Sequence, residues 1–200
     1  AGNIGGKQGL EQLLTVACEF SQQPEVKFVI CGAGLYKETL VRLASEMKLS
    51  NVHFLPLQPF SVFNQFLNIA DLHLILQMKG ASDLVMPSKL TGILAAGGCP
   101  LVTASPGTTL YDTIASNVLG ILVEPDSVEA LTHSIRQALT SDLNPYRINA
   151  RTYAVTQLSK RVILENFETQ LISTFDSTQK EFADRPLPTG GNLKSHKISA

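Results

Sequence analysis

Short apolar runs alternate with segments of helical periodicity along most of this 200-residue chain. The runs are rich in β-branched residues, which is typical of buried strands in a parallel sheet. Five runs have this character: VKFVIC at 26–31, NVHFLP at 51–56, DLHLILQ at 71–77, PLVTA at 100–104 and GILVEP at 120–125. Helical spacing predicts helices at 8–21, 36–48, 60–69, 88–96 and 108–116. The pattern predicts the α/β class, as a Rossmann-like doubly wound parallel sheet flanked by helices.

The two ends of the chain differ from this regular pattern. A glycine loop, GNIGG at 2–6, enters the first helix with no strand in front of it, so we expect the first strand to be truncated. We therefore interpret the chain as the C-terminal part of a larger protein. Residues 1–176 are expected to form one domain, with C-terminal helices at about 143–176. Ahead of these, in PDSVEALTHSIRQAL, Asp126 is expected to be the N-cap of a helix, with Glu129 as its capping-box partner. The polar segment 177–200 has Pro and Gly but no periodicity, so it is expected to be a flexible tail.

Composition excludes several classes of function. A net charge of −1 with scattered Lys and Arg disfavours nucleic-acid binding. No apolar run approaches the ~18 residues that a membrane helix needs. Cys18, Cys31 and Cys99 lack a C-x-x-C spacing, and no histidine has a partner at metal-ligand spacing, so no metal site is predicted. We interpret the cysteines as reduced, buried residues of a cytoplasmic protein.

The first loop is a candidate anion site. Gly5, Gly6 and Lys7 lie where the loop enters a helix. Glycines let backbone amides approach a phosphate closely, the helix start adds partial positive charge, and a lysine can neutralise the anion. The alternative is a tight turn with a solvated lysine.

A second glycine pair, in CGAGLY at 31–36, follows a strand and opens a helix. It has Gly32 and Gly34 but not the third glycine of a dinucleotide fingerprint. The favoured interpretation is that the two glycines permit the turn. Close packing of a ligand against the turn is the alternative.

A Ser-Lys pair begins the helix in SDLVMPSKLTGILAAGG, at 82–98. Pro87 suits the helix start, which would leave the amides of Ser88, Lys89 and Leu90 as free donors. These donors would lie at the carboxyl edge of the sheet, where open α/β sheets bind ligands. Asp83 could accept hydrogen bonds from a sugar hydroxyl. The alternative is an N-capping serine beside a surface lysine.

Together these segments resemble the nucleotide-sugar-binding C-terminal domain of a GT-B glycosyltransferase of family 4. The sequences GNIGGKQGLE and LVMPSKLTGILAAGG are particularly similar to the bacterial exopolysaccharide branch of this family, which includes colanic-acid transferases. The resemblance covers about residues 1–175 and implies sugar transfer from a nucleotide diphosphate donor, with no cofactor and no metal at the chemistry. It rests on GNIGGKQGLEQLL, FVICGAGLYKETLVRLASEMKLSNVHFLPLQ, ADLHLILQ, PSKLTGILAAGGCPLV and GILVEPDSVEAL.

The resemblance also implies roles for particular residues. Lys7 matches one member of the basic pair that holds the pyrophosphate, whereas Asn3 stands where the family usually has arginine. The second glutamate of the family's E-x7-E motif, which holds the donor ribose, is replaced by Gly92. Phosphate contacts are therefore expected from Gly5, Gly6, Lys7, Ser88, Lys89 and Leu90. Candidates for contacting the sugar or nucleoside are Asn3, Asp83, Gly32, Gly34, Pro56 and Leu57.

The implied partners are the nucleotide-sugar donor and a glycan or lipid-linked glycan acceptor, which would bind through an N-terminal domain outside this chain. The chain alone is then expected to be inactive. Its expected location is the cytoplasm, with peripheral association at the inner face of the bacterial membrane. Two alternatives stay open. A nucleotide-sugar epimerase of GT-B architecture would need acid and base carboxylates, of which only Asp83 can be proposed. A non-catalytic nucleotide-binding module is favoured by Asn3 and Gly92.

Overall fold

The computed structural model describes residues 2–6, 9–79 and 87–183, with side chains as far as residue 175. Each predicted strand and helix is found, within a few residues of its expected bounds. The strands are β1 (Gly2–Asn3), β2 (Phe28–Ala33), β3 (Val52–Leu55), β4 (His73–Ile75), β5 (Pro100–Thr103) and β6 (Ile121–Val123). The helices are α1 (Leu10–Glu19), α2 (Lys37–Glu46), α3 (Phe60–Asn68), α4 (Ser88–Ala95), α5 (Thr109–Asn117), α6 (Val128–Ala138), α7 (Asn144–Gln157) and α8 (Lys160–Ala183).

The strands form two parallel three-stranded sheets, in the orders β1-β2-β3 and β4-β5-β6. Gly2 pairs with Gly32, and His73 pairs with Pro100. These orders match the two halves of a doubly wound sheet, in which strand order reverses between the first and fourth strands. The predicted parallel α/β architecture is confirmed.

Residues 1–158 form one compact unit with a core that joins both sheets. Leu14 of α1 and Ile30 of β2 belong to the same buried cluster as Leu101 of β5 and Val123 of β6. A second cluster lies among α4, α5 and α7, and includes Leu90 and Ile114. Burial of this apolar area is the main favourable term that holds the helices to the sheets.

Helix α4 is fastened at its far end by α7. The guanidinium of Arg151 donates a hydrogen bond to the carbonyl oxygen of Ala95, at the end of α4. Leu90 and Leu94 of α4 are almost fully buried. The exposed residues Ser88 and Lys89 therefore begin a helix whose apolar face is buried and whose last turn is hydrogen-bonded to α7.

Two expectations about the later helices need correction. Asp126 was expected to be the N-cap of α6, but the N-cap is Ser127, whose hydroxyl accepts a hydrogen bond from the amide of Ala130 at 3.0 Å. A second unit begins at Ser159, and in it α8 continues to Ala183 rather than ending near residue 176. The segment after residue 176 is polar but contains Gln, Lys, Glu and Ala, which favour helix. The rest of the predicted tail, 184–200, lies outside the described residues.

The expectation that all three cysteines are buried is wrong for one of them. Cys31 and Cys99 are buried, but Cys18 is exposed on α1. Within the described part of the chain, no helix is both long and apolar enough to cross a membrane.

Candidate functional site

Four of the segments singled out in the sequence follow strands of the parallel sheets. The first loop follows β1, the Gly32–Gly34 turn lies at the end of β2, Pro56 and Leu57 follow β3, and α4 is reached from β4. The carboxyl ends of parallel strands lie at one edge of a sheet, which is where doubly wound folds bind ligands. The topology therefore places these candidates along one edge.

Lys89 lies against β1. A Cβ atom built on Gly2 would be 2.9 Å from Cε of Lys89 and 3.7 Å from its Nζ. The lysine stem thus crosses the strand that leads into the first loop. The side chain keeps exposed surface, but partial desolvation lowers the pKa of its ammonium group below the ordinary value of 10.5. The start of α4 and the first loop, two separate predictions from sequence, are brought together by this contact.

The first loop leaves room for a ligand at Gly5. The amide of Ile4 donates to the carbonyl oxygen of Ala33 at 2.9 Å, which anchors the loop, and Ile4 itself is buried. A Cβ on Gly5 would meet no described heavy atom within 4 Å, whereas one on Gly6 would be 3.7 Å from the ring of Tyr36. Asn3 is exposed. Lys7, predicted to bind phosphate, lies outside the described residues.

Gly32, within β2, and Gly34, directly after it, have a structural explanation. A Cβ on Gly32 would overlap the carbonyl oxygen of Gly2, and one on Gly34 would overlap the backbone of Ile4. Gly34 also has φ 154°, a conformation that favours glycine. The favoured interpretation, that these glycines serve the backbone, therefore has a specific cause, namely the close approach of β1. Contact with a nucleotide at this turn stays a prediction.

Lys37, which the sequence argument did not select, holds the ends of β2 and β3 together. Its ammonium group donates to the carbonyl oxygens of Gly32 and Leu55, each at 3.2 Å. The next carbonyl, that of Pro56, accepts from the Cys31 thiol at 3.0 Å and from the Gln58 side chain at 2.9 Å. Pro56 and Leu57 nevertheless remain exposed, so their side chains are available to a ligand.

The start of α4 differs from the expectations in two respects. Pro87 is the N-cap, and the Ser88 hydroxyl makes no capping hydrogen bond, so the alternative of an N-capping serine is wrong. The expectation of a free amide at Leu90 is also wrong, because this amide donates to the carbonyl oxygen of Pro87 at 2.9 Å. The first amides of a helix have no acceptor within it, so Ser88 and Lys89 retain that character. Asp83, the predicted sugar contact, lies outside the described residues.

Chemically, this edge offers donors and positive charge to an anion. The helices α1 and α4 begin after strands that end at this edge, and the Lys89 ammonium lies close to Gly2 of β1. Within residues 2–6, 9–79 and 87–183, no cluster of three or more His, Cys, Asp or Glu side chains could hold a metal ion.

Comparison with known proteins identifies the family of this chain. Residues 1–155 match the family model described as glycosyl transferases group 1. The chain is 41% identical over 168 residues to the colanic acid biosynthesis glycosyl transferase WcaI of Escherichia coli strain K12. This alignment covers 84% of the chain but only 40% of WcaI, so the chain spans less than half the length of that relative.

Two solved structures show the shared fold. HepE of Anabaena, solved in complex with UDP, has a TM-score of 0.69 at 17% identity, covering 88% of this chain and 48% of HepE. The C-terminal domain of the group 1 protein LpcC of Francisella tularensis has a TM-score of 0.63 at 16% identity, covering 80% of this chain and 84% of that domain.

Proposed function

This chain belongs to the group 1 glycosyl transferases, and we propose that it is the donor-binding half of an exopolysaccharide glycosyltransferase. The reaction would move a sugar from a nucleotide diphosphate sugar to a glycan or lipid-linked glycan. The observation that carries the proposal is the contact of Lys89 with Gly2, which joins the start of α4 to the first loop. The name of WcaI supports the polysaccharide context, and the UDP bound to HepE supports the donor class.

The proposed mechanism is electrostatic. As the glycosidic bond to the leaving diphosphate breaks, negative charge builds on the diphosphate oxygens. The amides of Ser88 and Lys89, together with the Lys89 ammonium, would stabilise that charge, and donors fixed in advance need no reorganisation during the reaction. Lys7 would supply a second cation from the first loop. Because these protein cations would balance the diphosphate, we propose no metal and no cofactor.

The nucleoside and sugar would lie further along the same edge. Pro56 and Leu57 are exposed after β3 and are proposed to contact the nucleoside, beside the Gly32–Gly34 turn. Asn3 and Asp83 are proposed as polar contacts to the sugar. The acceptor would be bound through an N-terminal domain, with the enzyme located in the cytoplasm at the inner face of the membrane.

The epimerase alternative receives no support from the family match or from the relatives. A sugar-transfer assay of the whole polypeptide distinguishes the non-catalytic alternative from the proposal. A binding module would hold the donor without transferring its sugar. We propose that the 200-residue chain binds the diphosphate but does not transfer sugar alone. Sugar transfer by the isolated chain would contradict this half-site assignment.

Calorimetric titration of the chain with UDP and GDP tests the binding step. Lys89→Ala should weaken binding of the preferred nucleotide by about tenfold, as expected for loss of one charge-assisted hydrogen bond. Gly5→Ala should weaken it with little loss of stability, because the space at Gly5 is open to a ligand. Lys27→Ala is the matched control, since Lys27 is exposed on the approach to β2. Equal affinities in the wild type, Lys89→Ala and Gly5→Ala would remove the proposed diphosphate site.

A further inference from the structure

We propose that Asp126 is a positioning residue that ties together the two segments that would hold the diphosphate. This inference rests on the proposed function. Asp126 lies in the turn between β6 and α6 and would not itself touch the donor. Instead its carboxylate fixes the beginning of α1 and the segment that leaves β4, and in this way it sets the affinity for a nucleoside diphosphate.

The carboxylate bridges two distant parts of the chain. Oδ2 accepts a hydrogen bond from the backbone amide of Lys79 at 2.9 Å, and Oδ1 accepts one from the side-chain amide of Gln12 at 3.4 Å. Gln12 lies in the first turn of α1, directly after the glycine loop. Lys79 lies beyond β4, on the segment that leads to α4. One side chain thus links the first turn of α1 to the segment that leaves β4.

The backbone of the turn is shaped for this role. Asp126 has φ 59°, in the left-handed region that costs free energy for residues other than glycine but is tolerated best by Asp and Asn. Pro125 before it is buried, and Ser127 after it caps α6 through the Ala130 amide. The turn is fixed on both sides, so the carboxylate is held in a defined direction.

Apolar contact joins the same segments. Gly9, the N-cap of α1, also has a left-handed conformation, with φ 62°. A Cβ on Gly9 would be 3.5 Å from Cγ of Met78, the residue before Lys79, and 3.8 Å from the Gln12 side chain. The start of α1 and the exit of β4 therefore lie close together, and Asp126 adds the directional hydrogen bonds that set their relative position.

The negative charge of Asp126 supports a positioning role rather than direct contact with the diphosphate. A carboxylate near a diphosphate repels it, so an acid here would be unfavourable unless it served another purpose. The two oxygens of Asp126 are instead directed to N–H donors of the protein. Removing the charge by Asp126→Asn should relieve that repulsion, yet we expect it to weaken binding, because an amide offers one acceptor oxygen where two are used.

The test combines two measurements on the 200-residue chain. Calorimetry with UDP and GDP gives the affinity, and hydrogen-deuterium exchange without ligand reports the Lys79 amide and the first turn of α1. Asp126→Asn tolerates the left-handed backbone, and Glu129→Gln removes an exposed acid from the same region as a charge-matched control. Asp126→Asn should raise the Kd by roughly tenfold, the effect of losing a hydrogen bond to a charged group. It should also speed exchange at Lys79, whereas Glu129→Gln should change neither.

Each outcome has a distinct meaning. Unchanged affinity in Asp126→Asn would overturn this inference, whether or not exchange at Lys79 becomes faster. Weaker binding without faster exchange would also overturn it, because the effect would then not act through the linked segments. Failure of the wild type to bind either nucleotide is read from a separate titration and would overturn the proposed function as well. An intact thermal transition in both variants shows that a loss of affinity does not reflect unfolding.

Discussion

The side chain of Lys89 lies across the backbone of Gly2, in a position that only glycine at residue 2 allows. A Cβ there would be 2.9 Å from Lys89 Cε, which is closer than side chains approach one another. Gly2 also has φ 138°, a conformation that L-residues rarely adopt. Gly2→Ala should therefore displace the lysine and weaken binding of UDP or GDP by about tenfold, as measured by calorimetry.

The same substitution should also cost stability, on the order of 1–3 kcal/mol for the strained backbone, as measured by urea unfolding. Addition of Lys89→Ala to Gly2→Ala separates the two effects. If the glycine acts through the lysine, the double variant should bind no more weakly than Lys89→Ala alone. Additive losses of affinity would show that Gly2 serves the ligand by another route.

The affinity for the diphosphate should decrease as the pH rises in the alkaline range. Desolvation lowers the pKa of Lys89, so its ammonium loses its proton at a lower pH than the ordinary 10.5 of lysine. Wild-type affinity should fall as pH rises through this lowered pKa, because the neutral amine no longer attracts the anion. Lys89→Arg should keep its charge and show a flatter profile, since arginine stays protonated. Parallel profiles for the two proteins would contradict a charged contact from residue 89.

Folding stability should fall on acidification because of His73. Its Nε2 is buried with no hydrogen-bond partner among the described atoms, and burial lowers its pKa below 6.5. Below pH 6.5 the unfolded chain binds a proton that the folded chain excludes, so stability is lost as pH falls toward the folded pKa. The loss is at most about 1.4 kcal/mol per pH unit.

His73→Asn should make this pH dependence shallower in chemical unfolding followed across the range below pH 6.5. The exposed His133 on α6 provides the control, because His133→Asn removes a histidine without removing a buried one. An equally steep profile in His73→Asn would show that another group controls acid stability.

Lys37 should contribute to stability through the ends of two strands. Lys37→Met leaves the carbonyl oxygens of Gly32 and Leu55 without their ammonium donor. We expect a loss of about 1–3 kcal/mol in the free energy of unfolding, the usual cost of unpairing partly buried polar groups. Lys27→Met, at an exposed lysine, should change it by no more than about 0.5 kcal/mol. Equal effects of the two substitutions would show that the bridge contributes nothing.

Local sequence patterns were sufficient to predict the elements but not the contacts between them. The helix expected at 88–96 spans Ser88–Ala95, because apolar spacing and the preceding proline are local signals. Asp126 was interpreted as a helix cap since PDSVE resembles a capping box, but its carboxylate is used by Lys79, 47 residues away in sequence. Lys37 was overlooked for the same reason, because its partner Leu55 lies on another strand. Hydrogen bonds between distant segments leave no periodic signal.

The segments of the candidate site were likewise predicted, but the contact that joins them was not. The sequence identified the first loop and the start of α4 separately, from glycines and from a Ser-Lys pair. Their contact through Gly2 and Lys89 depends on a parallel pairing of β1 with β2, which no single segment specifies. Leu90 was assigned a free amide because Pro87 marks the helix start, but the carbonyl of that same proline accepts the hydrogen bond.

The unequal burial of the three thiols makes the chain suitable for spectroscopic labelling. Cys31 and Cys99 are buried, and burial raises the pKa of Cys99 to about 11, so its thiolate is scarce at neutral pH. A maleimide dye should therefore couple to the exposed Cys18 in the native chain. At 1.5 Å per residue, Cys18 lies about 12 Å along α1 from Leu10, where the first loop ends. A fluorophore there would report on nucleotide binding at the proposed site from a position outside that site.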